Sequence, residues 1–205
     1  YVTNRLSDNI WAYAINAATG ALTPIAGSPF ANGAGSLPFS VAIAPSGAFA
    51  YVANTGSSTI SAYAVNPATG ALTPVTGAPF NNGALTGPRG VTVSPNGAFA
   101  YAANDNTNNV SAYTINTTTG ALTPVIGSPF AAGLGPVAVT VSPNGAFAYA
   151  ANSLSLSVSA YAINAVTGAL TPVPGSPFAA GTAPDSVAVS PNGAFAYASN
   201  FGSSN

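Results

Sequence analysis

The chain has 205 residues, of which 48% are hydrophobic and only 2% are charged, and its formal net charge is −1. This apolar content is enough to build a folded core, so the low charge does not indicate disorder. The near-absence of basic residues excludes nucleic acid as a partner, because phosphate recognition requires clusters of Lys or Arg.

Several kinds of site are also excluded by composition. Apolar runs are interrupted by Gly, Pro, Ser, Thr or Asn before they reach the roughly 18 residues of a membrane span, so we expect none. The absence of cysteine removes disulfides and thiolate chemistry. The sequence also lacks His and Glu, and its three Asp residues fall in different repeats, so we expect neither a metal nor a cofactor.

The motif Tyr-x-x-Asn recurs along the chain. Its copies begin at Tyr1, Tyr51, Tyr101, Tyr149 and Tyr197. A period of this length indicates one supersecondary unit per repeat. We therefore predict a single domain over residues 1–205, with repeats 1–50, 51–100, 101–148 and 149–196 and a partial fifth repeat, 197–205. A unit that cannot bury its own apolar faces must stack on its neighbours.

Within one repeat, four short runs are predicted to be strands. Residues 40–44 alternate β-branched and small side chains and end at a Pro-Ser-Gly turn, which predicts a tight hairpin into the second run, residues 48–54. The third run, residues 59–65, is apolar on both faces, as is typical of a strand buried between sheets. The fourth run, residues 71–75, contains Pro74, and proline cannot donate to a strand ladder, so this run is predicted to be the outer edge.

These four strands predict an all-β fold, a β-propeller built of four-stranded antiparallel blades. This chain supplies four repeats, and we expect it to be part of a larger ring or assembly. A β-solenoid is the competing architecture, but its coils are shorter and lack hairpin turns of this kind.

The Tyr-Val-Thr-Asn start, the Pro-Asn-Gly turns and the segment Asn-Pro-Ala-Thr-Gly-Ala-Leu-Thr-Pro resemble the YVTN-repeat β-propellers, which are related to lactonase-type propellers. The resemblance covers essentially the whole chain and implies a ring of seven blades. Lactonase-type relatives are expected to use catalytic His, Glu and Arg side chains, and of these types only Arg89 stands at a plausible place here.

The two ends of the predicted row of blades could be accommodated in three ways. The chain could close into a four-bladed ring with a frayed end, two copies could form one larger ring, or the chain could be a segment of a longer protein. We favour the last, because both ends fall within a repeat. The expected partners are therefore other copies of the chain or flanking blades, since exposed apolar blade faces mark interaction surfaces.

The charged residues are predicted to lie on one rim of the propeller, in loops where binding residues usually reside. The residue after the proline that opens each innermost strand reads Phe39, Arg89, Val137 and Asp185. Arg89 with Asp185 could orient a small ligand there. The candidate ligand-binding residues are Arg89, Asp185, Phe39, Asp105, Arg5 and Asp8.

Catalysis is not expected from these residues. Lactone hydrolysis needs a general base, an activated nucleophile or a metal, and the sequence offers no His, Glu, Lys or Cys. The sequence therefore predicts no enzyme and no catalytic residue. The leading hypothesis is an extracellular or cell-surface structural or adhesive module that self-associates or belongs to a longer repetitive protein. The alternatives are a small-ligand or glycan-binding propeller that uses the variable rim, and a lactonase-like hydrolase.

Overall fold

The structure, a computed structural model, describes residues 1–203. In that range the chain forms an arc of antiparallel β-sheets, three of them with five strands and the terminal ones smaller. We number the sheets as blades 1 to 5 along the chain. The all-β propeller architecture predicted from the sequence is confirmed, and no helix in this range is long and apolar enough to cross a membrane.

The strands have the following bounds. Blade 1 contains β1 (Val2–Asn4), a 3-10 turn (Arg5–Ser7), β2 (Asn9–Trp11), β3 (Tyr13–Ile15), β4 (Leu22–Pro24) and β5 (Phe30–Ala31). Blade 2 contains β6 (Pro38–Ile43), β7 (Phe49–Asn54), β8 (Thr59–Val65), β9 (Leu72–Pro74) and β10 (Phe80–Asn81). Blade 3 contains β11 (Pro88–Val93), β12 (Phe99–Asn104), β13 (Asn109–Ile115), β14 (Leu122–Pro124) and β15 (Phe130–Ala131). Blade 4 contains β16 (Pro136–Val141), β17 (Phe147–Asn152), β18 (Ser157–Ile163), β19 (Leu170–Pro172) and β20 (Phe178–Ala179). Blade 5 contains β21 (Pro184–Val189) and β22 (Ala196–Asn200).

The innermost strands of successive blades lie side by side, so β6, β11, β16 and β21 form the hub of the arc. Within blade 3, β11, β12, β13 and β14 pair in sequence order, and the strand that carries the proline is outermost, as expected. The outer edge differs from the prediction of one strand per repeat. It is split into two pieces, because β14 pairs with one end of β13 and β15 with the other. The turn between the two pieces contains a second proline, Pro129, which cannot donate a hydrogen bond to a strand ladder.

Apolar clusters fill the space between blades. Tyr51, Ala53 and Ile60 of blade 2 pack against Ala102 and Tyr113 of blade 3, and each of these side chains is buried. The contact between blades 3 and 4 repeats this arrangement. Each sheet is therefore apolar on both faces, and a blade buries its core only when a neighbour stands on each side.

In blades 1, 2 and 3 the tyrosine of the second strand reaches forward into the next blade. The hydroxyl of Tyr1 donates to the carbonyl of Gly70 at 2.6 Å, and Tyr51 and Tyr101 make the same bond to Gly120 and Gly168. The accepting glycines end the turns between the third and outer strands. Burial raises the pKa of the Tyr51 phenol to about 12, which agrees with its position inside the blade interface.

A buried amide ladder runs beside these tyrosines. Asn32 of blade 1 donates to Asn54 of blade 2 at 2.6 Å, and Asn54 in turn donates to the hydroxyl of Ser61 at 2.8 Å. The phenol of Tyr63, on the third strand of blade 2, donates back to Asn32 at 2.7 Å. The recurring asparagine of the Tyr-x-x-Asn motif is therefore a structural residue that links adjacent blades. The sequence pattern revealed the motif but no role for its asparagine.

The interface between blades 3 and 4 lacks one member of this ladder. Asn82 donates to Asn104 between blades 2 and 3, but the equivalent position in the next repeat is Ala132. The Oδ1 atom of Asn152 is consequently buried without a hydrogen-bond partner among the described residues. A buried acceptor that has lost its donor destabilises the fold by about 1 to 3 kcal/mol.

Restoring the missing amide should stabilise the protein. We expect Ala132→Asn to raise the free energy of unfolding by about 1 kcal/mol, because the new amide can donate to Asn152 and accept from Tyr161. The matched change Asn82→Ala should lower it by about 1 to 3 kcal/mol, because it leaves the same acceptor unpaired one interface earlier. Urea denaturation of both variants measures the two effects. If Ala132→Asn is destabilising while Asn82→Ala is neutral, the ladder does not carry the stability assigned to it.

The turn glycines offer a second test, because two of them share a backbone conformation but differ in surroundings. Gly20 has φ +72, and a Cβ added there would meet nothing within 4 Å, whereas Gly120 has φ +77 and an added Cβ would collide with the ring of Phe49. Gly20→Ala should cost about 1 to 2 kcal/mol of backbone strain. Gly120→Ala should cost about 1 to 3 kcal/mol more, because the added methyl group overpacks the site. Urea denaturation of both variants measures the two costs. Equal costs would show that Phe49 does not seat against the turn.

Candidate functional site

One rim of the arc carries all of the charged side chains. Asn104 pairs with Pro88 on one side and with Asn109 on the other, so the loop after each second strand and the start of each innermost strand lie at the same end of the sheet. Arg89 and Asp105 belong to these two segments of blade 3. Because of this antiparallel pairing, Arg89 and Asp105 lie on the same rim, as the sequence predicted.

A β-bulge sets the orientation of the residue after each opening proline. The register shifts between Pro88 and Gly90, which leaves Arg89 outside the ladder, and the equivalent shift occurs in blades 2, 4 and 5. Bulges redirect a side chain away from the sheet. The residues redirected in this way are Phe39, Arg89, Val137 and Asp185. Phe39 is 42% exposed, Val137 is buried and Asp185 is exposed.

Arg89 is held by two neighbours. Its Nη2 atom lies 2.8 Å from Oδ2 of Asp105, and its guanidinium lies 5.5 Å from the centre of the Phe39 ring on the adjacent blade. The side chain of Arg89 keeps 36% of its surface exposed. A guanidinium that stacks on an aromatic ring and pairs with a carboxylate is fixed in orientation, and the partial exposure of Arg89 leaves its side chain accessible from solvent.

This pairing differs from the one considered at the sequence level, which joined Arg89 with Asp185. Asp105 follows the second strand of the same blade as Arg89, whereas Asp185 lies two blades further along the arc, with Val137 between them. Within residues 1–203, Arg89 with Asp105 is the one side-chain pair at salt-bridge distance. The contact between Phe39 and Arg89 was not predicted either, although the shared bulge position on adjacent blades was the available signal.

Asp8 has a structural role, because it holds the loop of residues 35–37 by hydrogen bonds. Its carboxylate accepts hydrogen bonds from the backbone N–H groups of Gly35 and Leu37, each at 2.7 Å, and from the Ser36 hydroxyl. These bonds, the one from Leu37 foremost, lower the pKa of Asp8. Asn108 accepts from Gly135 in the same way two blades later, so this position caps the connection to the next innermost strand. Arg5 lies on the exposed 3-10 turn, and its side chain makes no salt bridge among residues 1–203.

No cluster of three or more His, Cys, Asp or Glu side chains that could hold a metal ion occurs in the described part of the chain. Of the six candidate residues, the structure brings Arg89, Asp105 and Phe39 into contact. It leaves Asp185 and Arg5 exposed on the rim and uses Asp8 as a loop cap. The chemistry available at the contact is recognition of an anion or a polarised carbonyl oxygen by a fixed guanidinium.

Comparison with known proteins identifies related folds. A sequence model described as "Lactonase, 7-bladed beta-propeller" matches residues 1–130 and 127–205. No curated protein matches the sequence.

Similar solved structures come from several bacteria. A protein of Bacteroides uniformis, provisionally named as a 6-phosphogluconolactonase, has a TM-score of 0.79 at 22% identity, with 89% of this chain and 52% of that one covered. A Bacteroides fragilis protein of the same provisional name has a TM-score of 0.77 at 24% identity, with 87% and 51% covered. The periplasmic gluconolactonase of Pseudomonas aeruginosa has a TM-score of 0.71 at 20% identity, with 85% and 49% covered. The chain thus spans about half the length of these structures, and identities this low show the fold alone.

These findings overturn two predictions from the sequence. The structural or adhesive interpretation and the prediction that the chain is no enzyme both conflict with the lactonase match and its structural neighbours. The error has a physical origin. Low charge and exposed blade faces describe how a propeller can associate, whereas catalysis depends on a few rim side chains that composition does not reveal. The chain belongs to the lactonase family of seven-bladed β-propellers.

Proposed function

We propose that this chain is part of a lactonase-type hydrolase in which Arg89 binds and polarises the substrate at the propeller rim. The observation that carries the proposal is the fixed guanidinium of Arg89, held by Asp105 and Phe39 at the mouth of the hub, in a chain of the lactonase family. Enzymes of this class need a positive group where negative charge develops, and Arg89 and Arg5 are the chain's two basic side chains.

The chemistry of ester opening defines the role of Arg89. Water adds to the lactone carbonyl carbon, and the carbonyl oxygen then carries the negative charge of a tetrahedral intermediate. This intermediate collapses as the ring C–O bond breaks, and the leaving oxygen takes up the proton that the water lost. A guanidinium remains charged at all working pH values and can donate two parallel hydrogen bonds to such an oxygen or to an acidic substituent of the substrate. Asp105 is the positioning residue, because its carboxylate fixes the orientation of that guanidinium.

Removal of a proton from the attacking water requires a base. The sequence contains no His, Glu, Lys or Cys, so the candidate bases within this chain are Asp and Tyr side chains. Asp8 is engaged with backbone N–H groups and Asp105 with Arg89, whereas Asp185 is exposed at an equivalent bulge on the same rim. Asp185 lies two blades away from Arg89, so we assign no general base among the described residues.

The names of the structural neighbours support a proposed substrate class. Two are named as 6-phosphogluconolactonases and one as a gluconolactonase, which supports a sugar-acid lactone, with or without a phosphate group. We also propose that the chain is a YVTN-repeat propeller, a more specific assignment that rests on the recurring Tyr-x-x-Asn motif. An extracellular or cell-surface location stays a prediction.

Mutation of Arg89 tests the proposal. With glucono-δ-lactone and its 6-phosphate as substrates, we expect Arg89→Ala to lower kcat/KM by about 100-fold, because the oxyanion loses its charged donor. Arg89→Lys should retain part of the activity, since it keeps the charge but loses the planar fork. Proton release in a weakly buffered assay measures the rates above spontaneous hydrolysis.

Arg5→Ala serves as the matched control, because it removes an exposed arginine from the same rim outside the pair with Asp105. Its kcat/KM should equal that of the unchanged protein. An unchanged protein that hydrolyses neither lactone, or an Arg89→Ala variant as active as Arg5→Ala, would contradict the proposal.

A further inference from the structure

The third run of each repeat has, near its middle, a backbone N–H group that points to the outer edge of the blade. In blades 1, 3 and 4 this group belongs to an alanine and donates at 2.9 Å to the hydroxyl of a serine in the turn between the two outer strand pieces. The three pairs are Ala12 with Ser28, Ala112 with Ser128 and Ala160 with Ser176. The same hydrogen bond thus closes the outer edge of three blades.

Blade 2 lacks this bond, because its turn carries Ala78 in place of the serine. The equivalent N–H group belongs to Ala62, which is fully buried. The carbonyl of Ala62 accepts from the N–H group of Val75 at 2.9 Å, and in an antiparallel strand the N–H and carbonyl of one residue point to the same side. The N–H group of Ala62 therefore points to the outer edge, where no other acceptor for it occurs among residues 1–203.

A cavity lies at this point of the outer edge, between blades 1 and 2. Its volume is about 220 Å³, and both Ala62 and Ala78 line it. We refer to it as the Ala78 cavity. Pro74 and Pro79 line it from blade 2, and Asn32 lines it from blade 1. One water molecule takes up about 30 Å³ in the liquid, so the cavity has room for a molecule of several heavy atoms.

The polar side chains of the Ala78 cavity already have partners. The phenol of Tyr63 donates to Oδ1 of Asn32 at 2.7 Å, and the amide of Asn32 donates to Asn54 at 2.6 Å. The hydroxyl of Ser61 accepts from Asn54 at 2.8 Å. The N–H group of Ala62 is therefore the polar group that a bound molecule can satisfy. A buried donor without a partner is unfavourable, so an acceptor that reaches this group is bound with a gain in free energy.

The lining also defines the charge of the molecule that fits. None of the lining residues of the Ala78 cavity is charged, and the rings of Pro74 and Pro79 make part of its wall apolar. An anion would be buried there without a positive partner, which is strongly unfavourable. A neutral molecule with one acceptor oxygen and an apolar body suits this lining. The acceptor at the three equivalent positions is a hydroxyl, so the local geometry is that of a hydroxyl site.

We propose that the Ala78 cavity binds a small neutral alcohol, whose hydroxyl oxygen accepts from the N–H group of Ala62 as a serine hydroxyl does in the other blades. The apolar part of the alcohol packs against Pro74 and Pro79. The bound molecule contacts both blades that line the cavity and joins them. The inference does not depend on the proposed hydrolase, because the cavity contains neither Arg89 nor Asp105 and the test uses no lactone.

Titration with phenol tests the proposal, with toluene as a probe of similar size that lacks the hydroxyl. In ¹H–¹⁵N NMR spectra of the 205-residue protein, the amide resonance of Ala62 should move saturably as phenol is added. Phenol should bind about fivefold more tightly than toluene, which is the equivalent of one hydrogen bond.

Two reciprocal variants make the site specific. Ala78→Ser supplies the missing hydroxyl from the chain itself and should weaken phenol binding at Ala62 at least about fivefold. Ser128→Ala removes the same hydroxyl from blade 3, so the amide resonance of Ala112 should begin to respond to phenol. Each variant carries a residue that occurs at the equivalent position of another blade, and the dispersion of its NMR spectrum shows whether it is folded.

Three results would overturn the proposal. The first is an Ala62 resonance that phenol does not move. The second is equal affinity for phenol and toluene, since the hydroxyl would then make no hydrogen bond. The third is a folded Ala78→Ser variant that binds phenol at Ala62 as tightly as the unchanged protein does.

Discussion

The structure depends on one constraint, which is that every blade is apolar on both faces and must be covered by a neighbour. The second-strand tyrosine satisfies this constraint in a directed way, because its ring fills the interface and its hydroxyl donates to the turn glycine of the next blade. The third-strand tyrosine reaches back to the previous blade. Blades 2 and 3 are thus fixed from both sides by these two tyrosines, and small residues such as Ala53 and Ala102 allow the close approach.

This constraint also positions the rim. Stacked sheets bring equivalent residues of successive blades to adjacent places, and the bulge after each opening proline turns one side chain out of the ladder. Phe39 and Arg89 meet for this reason, although they are far apart in sequence. The repeat therefore supplies a rigid frame, and the repeats differ in the side chain that the bulge turns out of the ladder. A single arginine can be functional in such a frame even though the chain is almost uncharged.

Much of the fold was predictable because residues that favour particular turns recur at the same positions of each repeat. The glycine turns, the strand with apolar residues on both faces and the outer proline each have a direct physical meaning, and together they specify a propeller blade. Contacts between repeats were less accessible. The partner of Asn54 is Asn32, and the loss of that partner at Ala132 has meaning only once the blades are stacked.

At the site, repeat equivalence placed Arg89 correctly on the rim, but it suggested Asp185 as the partner where Asp105 of the same blade is the actual one. The family match was not predicted as the leading interpretation, because a site of few residues leaves no compositional signal.

Native-state hydrogen exchange tests the central claim most directly, because it measures the stability of each blade separately. If neighbours on both sides hold a blade together, the amides of β12, whose residues are all buried, should exchange only through global unfolding of the protein. The amides of β22, with a single strand partner among the described residues, should exchange with a far lower opening free energy. Equal protection of β12 and β22 would contradict the account, since a blade would then be stable without a sheet on each flank.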